Sequence, residues 1–418
     1  MKRVILLSCL ALGLSVAAAR AQQADLKDGD CVAVIGDSIT EQKVYSLFIE
    51  DYLLMCRPAA DLRVTQMGWS GETAPGFLAR MANDCLPFHP VVATTSFGMN
   101  DGGYSPETPD KAKKYHDSQT AIVQELKKAG VRLIVVGSPG VVDADSFHNP
   151  QQATMYNQTL AAERDIAKAV AQEQGVVFAD VYDPMLEVMT KAKAKYGHDY
   201  YLAGKEGVHP DRNGHLVMAY AFLKALGCDG KIGVITVNLA GDTATATTGH
   251  KVLACAHGQV DIESSRYPFC FYGEAAQTGS TRGVLEWLPF NDQLNRFMLV
   301  VKGAPRGKYK VTWGKDSKEF TAAELAKGIN LAAEFLDNPF SAPFQDVEQA
   351  IVQQQNAETG LIKNDLYNLT KQAGAASTDT EALVRAAAAL VEKDHVLRVQ
   401  SATAVKPVRH TIKIEVIP

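Results

Sequence analysis

Through residues 32 to 227, short apolar runs alternate with longer stretches whose apolar residues recur at helical spacing. The runs at 32–35, 62–67, 91–97, 131–137 and 176–181 predict strands, several of them apolar along most of their length, as strands covered on both faces are. Between them the spacing predicts helices over 45–56, 73–85, 110–129 and 151–174, and 216–226 predicts a last helix returning to the sheet. Strand and helix in strict alternation predict an α/β fold, a parallel sheet with helices on both sides.

Beyond Cys228-Asp229-Gly230 the texture changes. Residues 232–314 carry β-branched and turn residues, with strands expected at 235–239, 252–256 and 297–301, and predict a small, mostly β unit. From Ala322 onward Val347, Ile351, Leu361, Ile362, Leu366 and Leu369 recur at near-helical spacing. Thr378 with Glu381 makes a capping-box signature ahead of the next helix. Residues 410–417 alternate like a strand able to rejoin the β unit. The predicted division is 1–21, 25–229, 230–321 and 322–418, the last being helical and ending in a strand. No internal repeat is present.

The first of these pieces reads as a secretory signal peptide. Lys2 and Arg3 precede an apolar run over 4–18, and Ala19-Arg20-Ala21 has the small-residue spacing of a cleavage site, predicting export to the periplasm or the medium. Lipid attachment at Cys9 fits poorly, because few apolar residues precede it, and no later stretch is long enough to span a bilayer. The remaining cysteines, at 31, 56, 85, 228, 255 and 270, are compatible with up to three disulfides or with small buried thiols. No CxxC or HExxH occurs, so a structural zinc is not expected. A length of 418 residues calls for two or three units, and shares of 46% hydrophobic and 21% charged are those of a globular chain. The net charge of -5, without like-charge blocks, gives no reason to expect nucleic acid or an anionic membrane as partner.

The candidate chemistry starts in VAVIGDSIT, residues 32–40, where a buried strand runs into Gly36-Asp37-Ser38 and then a helix. A serine on such a turn stands at the carboxyl edge where open α/β sheets place ligands. Alone, the tripeptide is what any turn would use. Three further pieces change its meaning: Gly68-Trp69-Ser70-Gly71 after the second strand, Gly98-Met99-Asn100-Asp101 after the third, and Glu206-Gly207-Val208-His209 before the last helix. Ester cleavage needs a serine, a base for its proton, an acceptor to orient the base and donors for the oxyanion. Ser38, His209 and Glu206 can fill the first three roles. The backbone N–H groups of Ser38 and Gly68 and the amide of Asn100 can fill the last, with glycine at 68 allowing close approach of substrate. His215 is a rival base, though inside the expected helix, and Asp211 a rival orienter. Trp69 either lines the site or packs.

In these four blocks, in this order, the sequence resembles the SGNH hydrolases, or GDSL esterases: Ser38 in GDSIT, Gly68 in MGWSG, Asn100 in GMND and His209 in EGVHP. The resemblance covers residues 32 to about 226. It implies a flavodoxin-like three-layer α/β/α domain and hydrolysis through an acyl-enzyme with no metal or other cofactor. Glu206 stands where the family usually has Asp. Gly328-Ile329-Asn330-Leu331-Ala332 and residues 339–345 resemble a segment of larger exported members.

The expected function is therefore an exported serine esterase acting on a small-molecule or polysaccharide ester, foremost O-acetyl esters of carbohydrates. A lipase, lysophospholipase or thioesterase is the second enzyme reading, and a glycan-binding protein without turnover the third. For binding, Tyr267, Phe269, Phe271 and Tyr272 form an aromatic cluster able to stack on sugars or to pack in a core. The sequence leaves the oligomeric state open.

Overall fold

A computed structural model describes residues 26–58, 62–369 and 380–418. The proposed signal peptide and Thr378 lie outside them. Strands β1 (Cys31–Gly36), β2 (Arg63–Gly68), β3 (Val92–Ser96), β4 (Leu133–Gly137) and β5 (Val177–Ala179) pair in parallel in the order β2-β1-β3-β4-β5. Alternate side chains of β1 feed two cores, as the period of a strand dictates. Val32 and Val34 pack on one side with Tyr45 and Phe222, Ala33 and Ile35 on the other with Phe77 and Ile122.

The helices α1 (Ser38–Glu41), α2 (Tyr45–Asp51, continued as a π turn over Tyr52–Cys56), α3 (Ala74–Asp84), α4 (Pro109–Lys128), α5 (Pro150–Glu173), α6 (Tyr182–Tyr196) and α7 (Arg212–Ala225) complete the three layers. Helices α3, α4 and α5 each start after a Thr or Asn cap, with proline in the first turn where its missing N–H costs nothing. Helix α6 is an addition to the expected set. This is the flavodoxin-like order, and its chain reversal beside β1 puts a crevice at the carboxyl ends of β1 and β3.

The β-rich part is two sheets rather than one unit. Its elements are β6 (Lys231–Asn238), β7 (Thr243–Ala246), β8 (His250–Ala256), β9 (Gln259–Ser264), α8 (Phe290–Leu294), β10 (Arg296–Lys302), β11 (Lys308–Trp313), β12 (Asp316–Thr321), α9 (Ala322–Lys327), β13 (Ile329–Asn330) and α10 (Leu331–Glu334). After α11 (Ser341–Gly360, continued as a π turn over Leu361–Leu366) and α12 (Thr380–Ala402), strand β14 (Val408–Ile417) returns. The sheets run β13-β10-β6-β7 and β12-β11-β14-β9-β8. The terminal strand thus sits between β11 and β9, antiparallel to both. A buried chain of neutral groups fastens it: Trp313 Nε1 donates to His410 Nδ1 at 3.1 Å, so His410 Nε2 donates to Ser264 Oγ at 2.9 Å, and that hydroxyl donates to His250 Nδ1 at 2.8 Å. Burial lowers the pKa of both histidines, consistent with their neutral roles.

The structure decides three points that the sequence leaves open. Tyr267, Phe269 and Phe271 are buried, with Phe269 and Phe271 against Phe290 and Tyr267 against Phe340, so they are core and no sugar platform. The cysteines at 31, 56, 85, 228, 255 and 270 are all free thiols, five of them buried. The C-terminal helices do not stand apart: α11 packs on α2, where Ser46 Oγ donates to Gln355 and the Gln354 and Gln355 amides donate to Glu50. Glu358 accepts the Gln66 N–H at 3.1 Å on β2, covering an edge strand that would otherwise expose its donors. Residues 328–332 supply β13, whose Asn330 accepts the Phe297 N–H and donates to the carbonyls of Asn291 and Asn295. Among the described residues no helix is long and apolar enough to cross a membrane.

Candidate active site

The turn after β1 is built around Asp37, which caps α1 by accepting the Ile39 N–H at 2.9 Å. Ser38 follows as the first residue of the helix and is half-buried at the carboxyl edge of the sheet. Gly36 has no space for a side chain, since a Cβ would strike the Thr40 hydroxyl and the Ser96 carbonyl. Residues 197–211, between α6 and α7, bring the histidine block across. Gly204 and Gly207 both hold φ of +80°, which L side chains resist, and a Cβ at Gly204 would collide with the His209 carbonyl. The Gly207 carbonyl accepts the Asp143 N–H at 2.9 Å, tying this loop to the segment after β4.

These two loops bring three of the predicted residues together. His209 Nε2 lies 2.8 Å from Ser38 Oγ, and His209 Nδ1 lies 2.7 Å from Glu206 Oε1. The same carboxylate oxygen accepts the His209 backbone N–H at 2.9 Å, fixing ring and carboxylate as one turn. Partial burial pushes the Glu206 pKa up, but the hydrogen bonds of this turn and the imidazole outweigh it and draw it below the usual carboxylate value. With Glu206 ionised and accepting from Nδ1–H, Nε2 carries the lone pair facing the serine. That arrangement can take a hydroxyl proton and return it to a leaving group.

The rivals are placed elsewhere. His215 is buried within α7, bonded to Gln42 Oε1 at 2.9 Å and stacked on Tyr45, and desolvation lowers its pKa to about 3. Asp211 accepts from the Thr278 hydroxyl at 2.6 Å at the head of the same helix.

Gly68 and Asn100 sit at the ends of the neighbouring strands. Glycine at 68 also meets a packing need: a Cβ would collide with the backbone of Thr40 and Glu41, so the residue lets α1 lie against β2. Asn100 Nδ2 donates to the Glu72 carbonyl at 3.0 Å, and the Tyr104 hydroxyl donates to its Oδ1 at 3.3 Å. An amide nitrogen has two hydrogens, so one N–H is left for a substrate oxygen.

Asp101, to which the sequence reading gave no role, positions this loop. Its two oxygens accept the Ala74 N–H at 2.9 Å and the Gly98 N–H at 3.0 Å, pinning the asparagine turn to the head of α3. Glu41 is a second such residue, accepting from both the backbone and the hydroxyl of Ser70. Their signal was present in their places beside Asn100 and at the end of the nucleophile helix.

Burial with Asp101 and Glu72 nearby raises the Asp37 pKa to about 7 despite the Ile39 hydrogen bond, and burial raises that of Asp101 to about 6. The folded state therefore holds the Asp37 proton to higher pH than the unfolded chain. Stability from this group is full below the ordinary aspartate pKa of about 4 and is lost as pH rises through about 7. Asp37→Asn keeps an oxygen for the Ile39 N–H and has no proton to lose. Urea unfolding at pH 5 and pH 8 is expected to show the variant losing less stability than wild type over that interval, by on the order of 1 kcal/mol or more. Equal losses in the two proteins would show that Asp37 is ionised throughout.

Comparison with known proteins agrees with the motifs. Residues 34–217 match the GDSL-like Lipase/Acylhydrolase family. An acetylxylan esterase of Geobacillus stearothermophilus is 26% identical over 220 residues, spanning 48% of this chain and 94% of the relative. Among solved structures, a gut microbial diltiazem-metabolizing enzyme superposes with a TM-score of 0.73 at 23% identity, covering 95% of this chain and 100% of that one. The three-layer domain, the two further sheets and the C-terminal helices are therefore one recurring architecture. A catalytic mutant of an acetylxylan esterase from Geobacillus stearothermophilus matches 48% of this chain and 96% of its own, with 22% identity and a TM-score of 0.39.

Proposed function

We propose that this protein, an ester-bond hydrolase with a GDSL-like domain at residues 34–217, is an exported serine esterase that removes O-acetyl groups from carbohydrates. The observation that carries the serine mechanism is the continuous line Glu206, His209, Ser38, with contacts of 2.7 and 2.8 Å. Ser38 attacks the ester carbonyl as His209 takes its proton. The oxyanion is held by the Ser38 and Gly68 N–H groups and the Asn100 amide, and His209 protonates the leaving sugar hydroxyl. Water then repeats the sequence on the acetyl-enzyme. The acetyl and carbohydrate assignments are supported by likeness to the acetylxylan esterase. Export is supported by the leader pattern of residues 1–21.

The test is hydrolysis of nitrophenyl esters from acetyl to octanoyl, and of acetylated xylooligosaccharides, by the purified mature protein with and without EDTA. Activity confined to the shortest acyl groups, released from the sugars as acetate and indifferent to chelator, is the expected result. Rates that climb with acyl length would replace this reading with a lipase.

A further inference from the structure

The C-terminal helical segment reaches the same edge of the sheet as the nucleophile. Lys363, on the π turn that continues α11, bonds to Glu41 at the end of the helix that Ser38 begins, and its Nζ lies 4.7 Å from the centroid of the Trp69 ring. Tyr367 meets Trp69 edge-on at 5.0 Å between ring centroids. Between these aromatics and α3 lies an open cleft of about 410 Å³. Its floor is the buried Arg80–Glu72 pair at 2.6 Å, and Asn83 stands at its rim. Two of its lining residues are tied to the candidate site. Trp69 follows Gly68, and the main-chain carbonyl of Glu72 is the group that holds the Asn100 amide.

The chemistry of the lining selects among ligands. Among the described residues that line it only Gly76 and Ala79 are aliphatic, which is too little surface for a fatty acyl chain. Arg80 is already neutralised by Glu72 and by Asp84 at 3.0 Å, so among the described lining residues no free cation awaits a phosphate or carboxylate. What remains is aromatic walls, an amide and a fixed ion pair: faces for C–H groups and edges for hydroxyls.

We propose that this cleft is the subsite for the sugar chain of the leaving group, and that Tyr367 of the C-terminal segment is its specificity-determining wall. The proposal rests on the carbohydrate reading above and adds to it where the chain beyond the acetylated sugar lies. It also gives the C-terminal helices a part in substrate choice.

The test compares kcat/KM on acetylated xylooligosaccharide with kcat/KM on nitrophenyl acetate, which has no sugar, in wild type, Tyr367→Ala, Tyr367→Phe and Asn83→Trp. Asn83 is exposed on α3, so the tryptophan can fill the cleft without entering the core. Tyr367→Ala and Asn83→Trp are expected to lower the sugar-to-nitrophenyl ratio at least tenfold, mainly through KM, and Tyr367→Phe is expected to restore most of it. Ratios within twofold of wild type in both of the first two variants would overturn the subsite. A wild-type enzyme that cleaves nitrophenyl acetate and no acetylated sugar would instead overturn the carbohydrate reading, and this subsite with it.

Discussion

Alanine at Ser38 or at His209 is expected to lower kcat on nitrophenyl acetate by on the order of 10⁴-fold or more, and alanine at both is expected to lower it no further. The reason is that the two side chains do one job. A serine hydroxyl is a weak nucleophile at neutral pH, and what makes it attack is transfer of its proton across the 2.8 Å contact to Nε2. Remove either partner and the transfer is gone, so the second removal finds nothing left to lose. The residual rate comes from binding and the oxyanion donors, which neither substitution touches. Single-turnover rates of the three variants decide the matter, with thermal unfolding alongside to exclude misfolding. If the double variant were slower than each single one by the product of their losses, the two residues would be acting independently and the assignment of His209 as base would fall.

The four blocks were readable because each combines a glycine with a polar residue where an apolar run stops, and buried parallel strands make such runs conspicuous. Helix α6 also left a trace in the sequence, since Tyr182, Met185, Val188, Met189 and Ala192 are buried at helical spacing, though the run lies between two loop-like stretches. Other features were beyond reach for physical reasons. Strand β12 is exposed at five of its six positions, so it carries no apolar alternation to detect. An even number of cysteines allows disulfides but does not bring any two side chains together, and here the packing leaves them as thiols. The contact of Tyr367 with Trp69 joins positions far apart in the chain, and only the folding of α11 over the edge of β2 creates it. Local pattern thus delivered the Ser38, His209 and Glu206 line, while the Tyr367 wall of the proposed subsite is a product of tertiary packing.

Asn100→Ala is expected to slow turnover roughly 100- to 1,000-fold with KM changed much less, the usual result of losing one oxyanion donor. The amide is held before substrate arrives: one N–H is fixed on the Glu72 carbonyl, Tyr104 donates to its oxygen, and Asp101 pins the turn on both sides. A donor so fixed pays no reorganisation when charge develops on the ester oxygen, so its loss falls on the transition state. The same anchoring means that alanine also frees the Glu72 carbonyl, and about 1 kcal/mol of stability is expected to go with that hydrogen bond. Asn100→Asp separates the two effects. It puts acceptor oxygens and a negative charge where the donor stood, so it is expected to be at least as slow as alanine, although its side chain is the same size. An Asn100→Asp enzyme faster than Asn100→Ala, or an alanine variant at the wild-type rate, would remove the amide from the oxyanion site and leave Asn100 as a turn former.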